Sequence, residues 1–296
     1  MIPFPEVEGV RHSDVVVRGL RLHVAEAGDP DAEAVVLQHG WPQHWWEWRH
    51  VIPVLAERYH VVCPDLRGFG WSDPPPDGDY RKESLVDDLL GILRELGIDR
   101  IRYVGHDWGA FLGYLLALRP DNPAERMVLM SVLPPWPPPG GVDLKRLAKL
   151  AYQLPIVAPA PGPFRTGVSE KLLRIGRSDE GFTDEEVETF LTPLRLPHGP
   201  GATAGMYRTF LRHELYPISR GKYLKRRLSI PLRVLIGKKD LFYDGAFEQM
   251  VRHNADQVEV EPIDGAHFIA EECAHLVTER VLDFFAKTPS ETQTPA

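Results

Sequence analysis

The sequence predicts an α/β protein with a mostly parallel central sheet, helices on both faces of that sheet and an inserted helical segment. Three observations support this prediction. Short apolar runs of strand length alternate with helical patterns at both ends of the 296-residue chain. One strand turns directly into a helix at a G-x-D-x-G motif. A proline-rich stretch then opens a long segment, residues 134–223, that has no strand of the parallel type.

The individual elements follow from hydrophobic periodicity and turn signals. The first two strands surround Arg18 and Gly19 and form an antiparallel hairpin at the sheet edge. Later strands are short and apolar, as expected for strands buried on both faces. The predicted strands are 15–17, 20–24, 34–38, 59–63, 101–104 and 126–131, then two that begin at Leu232 and Val258, and the core helices include 82–96 and 110–118.

The alternation of strands and helices stops at residues 134–141, where five of the first six residues are proline. Such a segment cannot continue a helix or a central strand. Helices are predicted beyond it at 142–154, 169–175, 184–194 and 202–213, with a loop at 159–163 and a capping box formed by Thr183 and Glu186. We therefore predict a core at 1–133 and 224–288, a helical cap at 134–223 and a disordered tail at 289–296.

Composition narrows the class of protein. Hydrophobic residues make up 43% of the chain, and the net charge of −8, with acids and bases interspersed, argues against nucleic acid or an anionic membrane as a partner. Cys63 and Cys273 are the only cysteines, so a disulfide framework is not expected. No signal peptide or bilayer-spanning run is evident, which predicts a cytoplasmic protein. The sequence does not specify the oligomeric state and is compatible with a homodimer.

The strand-to-helix motif is Gly105-His106-Asp107-Trp108-Gly109. It has the frame of a nucleophile elbow, with a carboxylate where a serine usually stands. The sharp turn strains the central residue, and small residues on either side avoid a clash. Asp107 is therefore a candidate nucleophile. The structural alternative is an aspartate that only caps the following helix.

A second motif, His39-Gly40-Trp41-Pro42, follows the predicted strand 34–38. A loop at this position can direct a backbone N–H toward the elbow. With Trp108 at the start of the elbow helix, Trp41 would then form an oxyanion hole of two N–H donors. The alternative is an ordinary turn at the end of a strand.

An acid and a histidine follow two later strands. Asp240 comes directly after the strand that begins at Leu232, and His267 lies in the loop after the strand that begins at Val258. Nucleophile, acid and histidine in this chain order are typical of one triad fold. Asp244 and Asp264 are rival acids, but Asp240 is closest to the strand end.

With these pieces the chain resembles the α/β-hydrolase superfamily over nearly its whole length. The stretch Asp65-Leu66-Arg67-Gly68-Phe69-Gly70-Trp71-Ser72 is similar to the D-x-R-G-x-G-x-S loop of that family. An aspartate at the elbow narrows the resemblance to enzymes that attack an sp³ carbon, mainly epoxide hydrolases and haloalkane dehalogenases. Serine esterases are disfavoured because the sequence contains no G-x-S-x-G.

The resemblance implies an epoxide hydrolase that converts a small apolar epoxide and water into a vicinal diol without a metal or organic cofactor. Tyr152 and Tyr207 lie in contexts similar to the family's ring-opening tyrosines. Cap tyrosines that only pack are the structural alternative, and Tyr103, Tyr114, Tyr216 and Tyr223 show how common tyrosine is here. Substrate contacts are predicted for His39, Gly40, Pro42 and Phe268.

Two other functions stay open. A haloalkane dehalogenase would use the same Asp107, Asp240 and His267, but the family often has Asn at the position of Trp41, although the seven tryptophans could still supply a halide cradle. An anionic haloacid substrate is disfavoured because Trp108 and Ala110 stand where fluoroacetate-type dehalogenases usually have arginines. A non-catalytic binding protein is less favoured because all the triad pieces are present.

Overall fold

The computed structural model describes residues 2–137, 148–159, 161–178 and 181–287. Its central feature is an eight-stranded sheet with the strand order β1-β2-β4-β3-β5-β6-β7-β8. The strands are β1 (Arg11–Val17), β2 (Leu20–Ala27), β3 (Ala34–Gln38), β4 (His60–Pro64), β5 (Ile101–His106), β6 (Ala124–Met130), β7 (Leu232–Gly237) and β8 (Val258–Ile263). β2 pairs antiparallel with β1 and β4, and all other neighbours are parallel. The predicted edge hairpin and mostly parallel sheet are therefore confirmed.

The parallel strands end at one edge of the sheet, and this edge positions the site. Every residue of β3, β4 and β7 is buried, because helices cover both faces. Side chains that follow the carboxyl ends of β3, β5, β7 and β8 are brought together there, as expected for ligand sites in α/β folds.

Helices pack against the strands in two hydrophobic clusters, one on each face of the sheet. Phe111 and Leu85 belong to one cluster, and Ile52 and Val281 belong to the other. The described α-helices are α1 (Ile52–Leu55), α2 (Lys82–Glu95), α3 (Trp108–Ala117), α4 (Gln153–Val157), α5 (Gly162–Ile175), α6 (Asp184–Leu194), α7 (Gly199–Thr209), α8 (Tyr216–Ser219), α9 (Gly245–Asn254), α10 (Ile269–Glu272) and α11 (Ala274–Ala286). Two further segments are helical, a 3₁₀ turn at Trp45–Trp48 and a π-helical turn at Phe210–Leu215.

The segment between β6 and β7 contains α4 to α8, in agreement with a helical insertion. The capping box is confirmed, since the Glu186 N–H donates to Thr183 Oγ1 at 3.2 Å and the Thr183 N–H donates to Glu186 Oε2 at 2.8 Å. The predicted loop 159–163 is too long, because Gly162 and Pro163 already belong to α5. Proline fits the first turn of a helix, where its missing N–H would have no partner.

Two other helix predictions for this segment need correction. The predicted helix 142–154 lies partly outside the described residues. Residues 148–149 are helical, residues 150–152 form a turn, and α4 begins at Gln153, so Tyr152 occupies the turn before α4. The predicted helix 202–213 is divided between α7 and the π-helical turn, and α8 begins beyond it at Tyr216. Pro217 has no N–H for the carbonyl four residues earlier, which interrupts regular pairing at this point.

Several other predictions can be placed. The tail 289–296 lies outside the described residues. Within the described part of the chain, no helix combines the length and hydropathy needed to cross a bilayer. In the described part of the chain, neither Cys63 nor Cys273 takes part in a disulfide.

Candidate active site

Asp107 stands at the turn between β5 and α3. Its backbone has φ 48° and ψ −119°, a strained conformation for a residue other than glycine. Its two flanking glycines make the turn feasible: a Cβ on Gly105 would lie 2.6 Å from the Gly109 carbonyl oxygen, and one on Gly109 would lie 2.0 Å from that of Gln38. The elbow geometry expected from the motif is therefore present.

The Asp107 carboxylate is held by backbone donors. The Trp41 N–H donates to Asp107 Oδ2 at 2.8 Å. Burial raises the pKa of Asp107 above its usual value, while nearby His267 and His106 and the N–H groups of Trp41 and Trp108 act against this shift. The two predicted oxyanion donors thus face one carboxylate in the resting protein.

Asp240 and His267 form a hydrogen-bonded pair beside the elbow. His267 Nδ1 lies 2.9 Å from Asp240 Oδ2, and His267 Nε2 lies 4.0 Å from Asp107 Oδ1. Burial alone would raise the pKa of Asp240, but the neighbouring His267 ring and its hydrogen bond lower it below the usual value. The rival acids lie elsewhere: Asp244 caps α9 through the N–H groups of residues 246 and 247, and Asp264 is exposed.

A buried charged pair under the elbow was not predicted. His106 Nδ1 lies 3.6 Å from Glu47 Oε2, and His106 Nε2 donates to the His267 carbonyl oxygen at 2.9 Å. Burial alone would lower the pKa of His106, but Glu47, and then Asp107, raise it to about 9. His106 is therefore a cation at neutral pH between two carboxylates. Its place inside the elbow motif was the only sequence signal, because nothing local connects Glu47 to it.

An apolar cavity of about 430 Å³ opens beside Asp107. Tyr152 lines it together with Asp107 and Trp108. Most of the remaining wall is apolar and comes from α3, from the segment between β6 and β7, and from the chain that follows β7: Phe111, Val132, Leu133, Trp136, Phe210, Leu211, Leu215, Ile218, Phe242 and Met250. The cavity size and polarity fit a small apolar ligand.

The second predicted tyrosine lies behind the first. Tyr207 is 1% exposed, and its ring packs edge-on against Trp41, Trp108 and Tyr152 with ring centroids 5.2, 5.3 and 6.2 Å apart. Burial, and then the charge of Asp107, raise the pKa of Tyr152, and burial raises the pKa of Tyr207. Both phenols therefore keep their protons at neutral pH and can donate hydrogen bonds.

The four residues predicted to contact substrate are not among the described residues that line this cavity. His39 is fully buried, and its Nε2 accepts a hydrogen bond from the Leu66 N–H at 2.9 Å. Phe268 is buried and packs against His106 and Phe182. Gly40 makes room for the nucleophile, since a Cβ there would lie 2.4 Å from Asp107 Cβ. These residues support the site from outside the cavity wall.

The D-x-R-G-x-G-x-S loop also supports the site from behind. Asp65 is buried and accepts hydrogen bonds from the N–H groups of Trp45 at 2.9 Å and Trp71 at 3.0 Å. Asp65 also contacts His23, whose Nδ1 lies 2.7 Å from Asp65 Oδ2. Burial would raise the pKa of Asp65, but His23 and other nearby histidines lower it to about 2. The loop therefore anchors the segment that follows Trp41.

Comparison with known proteins agrees with this geometry. A family model for the α/β hydrolase fold matches residues 33–272. The chain therefore belongs to the α/β-hydrolase family.

Individual relatives are named epoxide hydrolases. The chain is 27% identical over 288 residues to a soluble epoxide hydrolase of Corynebacterium sp. (strain C12), covering 94% of this chain and 98% of the relative. It is 31% identical over 319 residues to epoxide hydrolase 1 of Siraitia grosvenorii, covering 94% and 99%. The solved structure of epoxide hydrolase CorEH without ligand matches with a TM-score of 0.81 at 27% identity, covering 94% of this chain and 99% of that one. These similarities support a hydrolase activity.

Proposed function

We propose that the protein is an epoxide hydrolase that converts an apolar epoxide into a vicinal diol through a covalent ester on Asp107. One observation carries this proposal: a buried pair of protonated tyrosines, Tyr152 and Tyr207, adjoins the elbow carboxylate, and Tyr152 lines the same cavity as Asp107. An epoxide oxygen leaves as an alkoxide and needs such donors as charge develops.

In the first step, a carboxylate oxygen of Asp107 attacks an epoxide carbon in line with the breaking C–O bond. Tyr152 and Tyr207 donate hydrogen bonds to the epoxide oxygen, and one of them transfers its proton to this oxygen as the C–O bond breaks, so that a hydroxyl and a tyrosinate form. The product of this step is a hydroxyalkyl ester of Asp107. A serine in this place would give an ether, which water could not cleave in the same way.

In the second step, His267 takes a proton from water, and the resulting hydroxide attacks the ester carbonyl carbon. The tetrahedral intermediate then collapses: the bond to the diol oxygen breaks, and this oxygen takes the proton from His267. The proton left on the Asp107 carboxyl group returns to the tyrosinate of the first step, which restores the resting enzyme. Asp240 holds the ring through Nδ1, which leaves Nε2 as the basic nitrogen. The distance of 4.0 Å between His267 Nε2 and Asp107 Oδ1 exceeds hydrogen-bond distance. The Asp107 carboxylate therefore does not hydrogen-bond to Nε2, which can accept a proton from water. The N–H groups of Trp41 and Trp108 stabilise the oxyanion, each by about 3 kcal/mol.

The covalent intermediate gives the decisive experiment. His267→Gln should form the ester and fail to hydrolyse it, so the peptide that contains Asp107 should gain the mass of the epoxide. Asp107→Ala is the matched control and should show neither the adduct nor a diol. In ¹⁸O-labelled water, a single turnover of the unmodified enzyme should place the label in the Asp107 carboxyl group. Diol formation without label or adduct would refute the ester.

A haloalkane dehalogenase is the alternative that uses the same triad. It needs a pair of N–H donors for the halide, but the Trp41 indole N–H already donates to Thr203 Oγ1 at 3.3 Å. Replacing Tyr152 and Tyr207 together by Phe should slow epoxide opening by at least about 100-fold and leave any halide release unchanged. Diol and halide are both quantified for matched epoxides and haloalkanes. Unchanged epoxide turnover in the double variant would contradict the role of the tyrosines.

A further inference from the structure

A lysine with no exposed surface lies at the boundary between the sheet domain and the inserted helices. Lys82 is the first residue of α2, and its side chain is 0% exposed. The ammonium group lies over the ring of Trp108, 4.4 Å from the ring centroid. Local sequence does not predict this burial, because a lysine in the first turn of a helix is ordinarily solvated.

The ammonium group adds a hydrogen-bond donor to the helix that bears Tyr207. Where α7 changes into the π-helical turn, the carbonyls of Met206 and Tyr207 both face the single N–H of Phe210. Lys82 Nζ donates to the Met206 carbonyl at 2.8 Å. Two carbonyls therefore share one backbone donor, and Lys82 gives the Met206 carbonyl a second hydrogen bond.

Glu214, in the π-helical turn, makes a reciprocal contact with the start of α2. Its Oε1 accepts a hydrogen bond from the backbone N–H of Lys82 at 3.1 Å, one of the donors at the start of α2 that have no partner within the helix. Its Oε2 lies 3.6 Å from Lys82 Nζ. Glu214 therefore supplies a partner for the start of α2, and Lys82 adds a donor to the helix of Tyr207.

The Trp108 ring connects Lys82 with the proposed site. The Trp108 ring under the ammonium group packs against Tyr207, with centroids 5.3 Å apart, and Trp108 directly follows Asp107. Burial lowers the pKa of Lys82 to about 8, although Glu214 and Asp107 act against this shift, so the group is charged at neutral pH. A buried charge of this kind needs its partners in place.

We infer that Lys82 and Glu214 are positioning residues, which together fix the Tyr207 helix over Asp107 for the ring-opening step. This inference rests on the proposed function. Tyr207 acts only in ring opening, whereas His267 and Asp240 act in ester hydrolysis and lie on other loops. Loss of the pair should therefore slow one step and spare the other.

The experiment measures the two steps separately in single turnovers with enzyme in excess, by chemical quench and mass analysis of the Asp107 peptide. Lys82→Met should lower the rate constant of adduct formation by about 100-fold, the effect of a displacement of about 1 Å. The decay of the adduct should stay within about threefold of the unmodified enzyme. Lys222→Met is the matched control, because Lys222 pairs with Glu83 of the same helix at 3.9 Å but is 41% exposed, and it should leave both steps unchanged.

A double variant separates positioning from stability. Lys82→Met with Glu214→Leu removes the buried charge imbalance of the single variant and should recover most of the lost thermal stability. Ring opening should nevertheless stay slow. Recovery of the ring-opening rate together with stability would overturn the inference, as would fast adduct formation in Lys82→Met. Absence of any adduct in the unmodified enzyme and in His267→Gln would instead contradict the proposed function itself.

Discussion

The close approach of α3 to β3 makes Gly109 a sensitive test of the elbow. A Cβ at this position would lie 2.0 Å from the Gln38 carbonyl oxygen and 2.8 Å from that of His39. Real Cβ atoms essentially never come closer than 3.0 Å, so Gly109→Ala must separate the helix from the strand by about 1 Å.

This displacement acts on the two donors of the candidate oxyanion hole. Trp108 moves with α3, whereas Trp41 follows β3, so the 2.8 Å contact between the Trp41 N–H and Asp107 Oδ2 would lengthen beyond hydrogen-bond distance. A misplacement of about 1 Å costs about 100-fold in rate, which corresponds to about 2.7 kcal/mol. Overpacking should also lower the free energy of unfolding by about 1–3 kcal/mol.

The assay compares kcat/KM for one epoxide with the thermal unfolding midpoint followed by circular dichroism. Gly245→Ala is the control, because a Cβ at this exposed position in the first turn of α9 meets no atom within 4 Å. It should leave kcat/KM unchanged and stabilise the protein by up to about 1 kcal/mol. If folded Gly109→Ala retained kcat/KM within threefold of the unmodified enzyme, the steric reasoning would be wrong.

Two stability predictions follow from buried groups outside the site. Arg67 and Arg18 both pair with Asp88, but their side chains are 7% and 58% exposed. Arg67→Met should lower the free energy of unfolding by about 3–5 kcal/mol, and Arg18→Met should lower it by less than about 1 kcal/mol. Urea midpoints at constant m measure both losses, and equal losses would contradict this prediction. Burial lowers the pKa of His44 from 6.5 to about 4, although Asp65 opposes the shift. The unfolded chain then binds the extra proton between pH 6.5 and 4, so stability should fall by about 3 kcal/mol as the pH drops through that window. His44→Gln should make this acid slope shallower, and an unchanged slope would argue against His44 as its source.

The sequence predicted those features that depend on local patterns. Strands of the sheet, the elbow around Asp107 and the loops bearing Asp240 and His267 all carry short motifs or turn signals, and the structure brings these residues together. The order of such motifs along the chain is itself informative, because parallel strands end at one edge of the sheet.

What the sequence missed depends on contacts between distant segments. Glu47 meets His106, and Lys82 meets Glu214, across separations that leave no periodic signal. Glu214 lies in the π-helical turn, and the Lys82 N–H that donates to it lies 132 residues away in the chain. The H-G-W-P motif suggests a substrate contact for His39, but its ring accepts a hydrogen bond from the backbone N–H of Leu66 in the loop that follows β4.

The neighbouring position of β6 and β7 has a practical consequence. The two strands are parallel and hydrogen-bonded directly to each other, so the connection between them runs from the carboxyl end of one strand to the start of its neighbour. The segment between β6 and β7 can be exchanged as a unit without changing the register of any strand pair. A graft from a relative would bring a new cavity wall to an unaltered Asp107, provided that it carries its own acidic partner for Lys82.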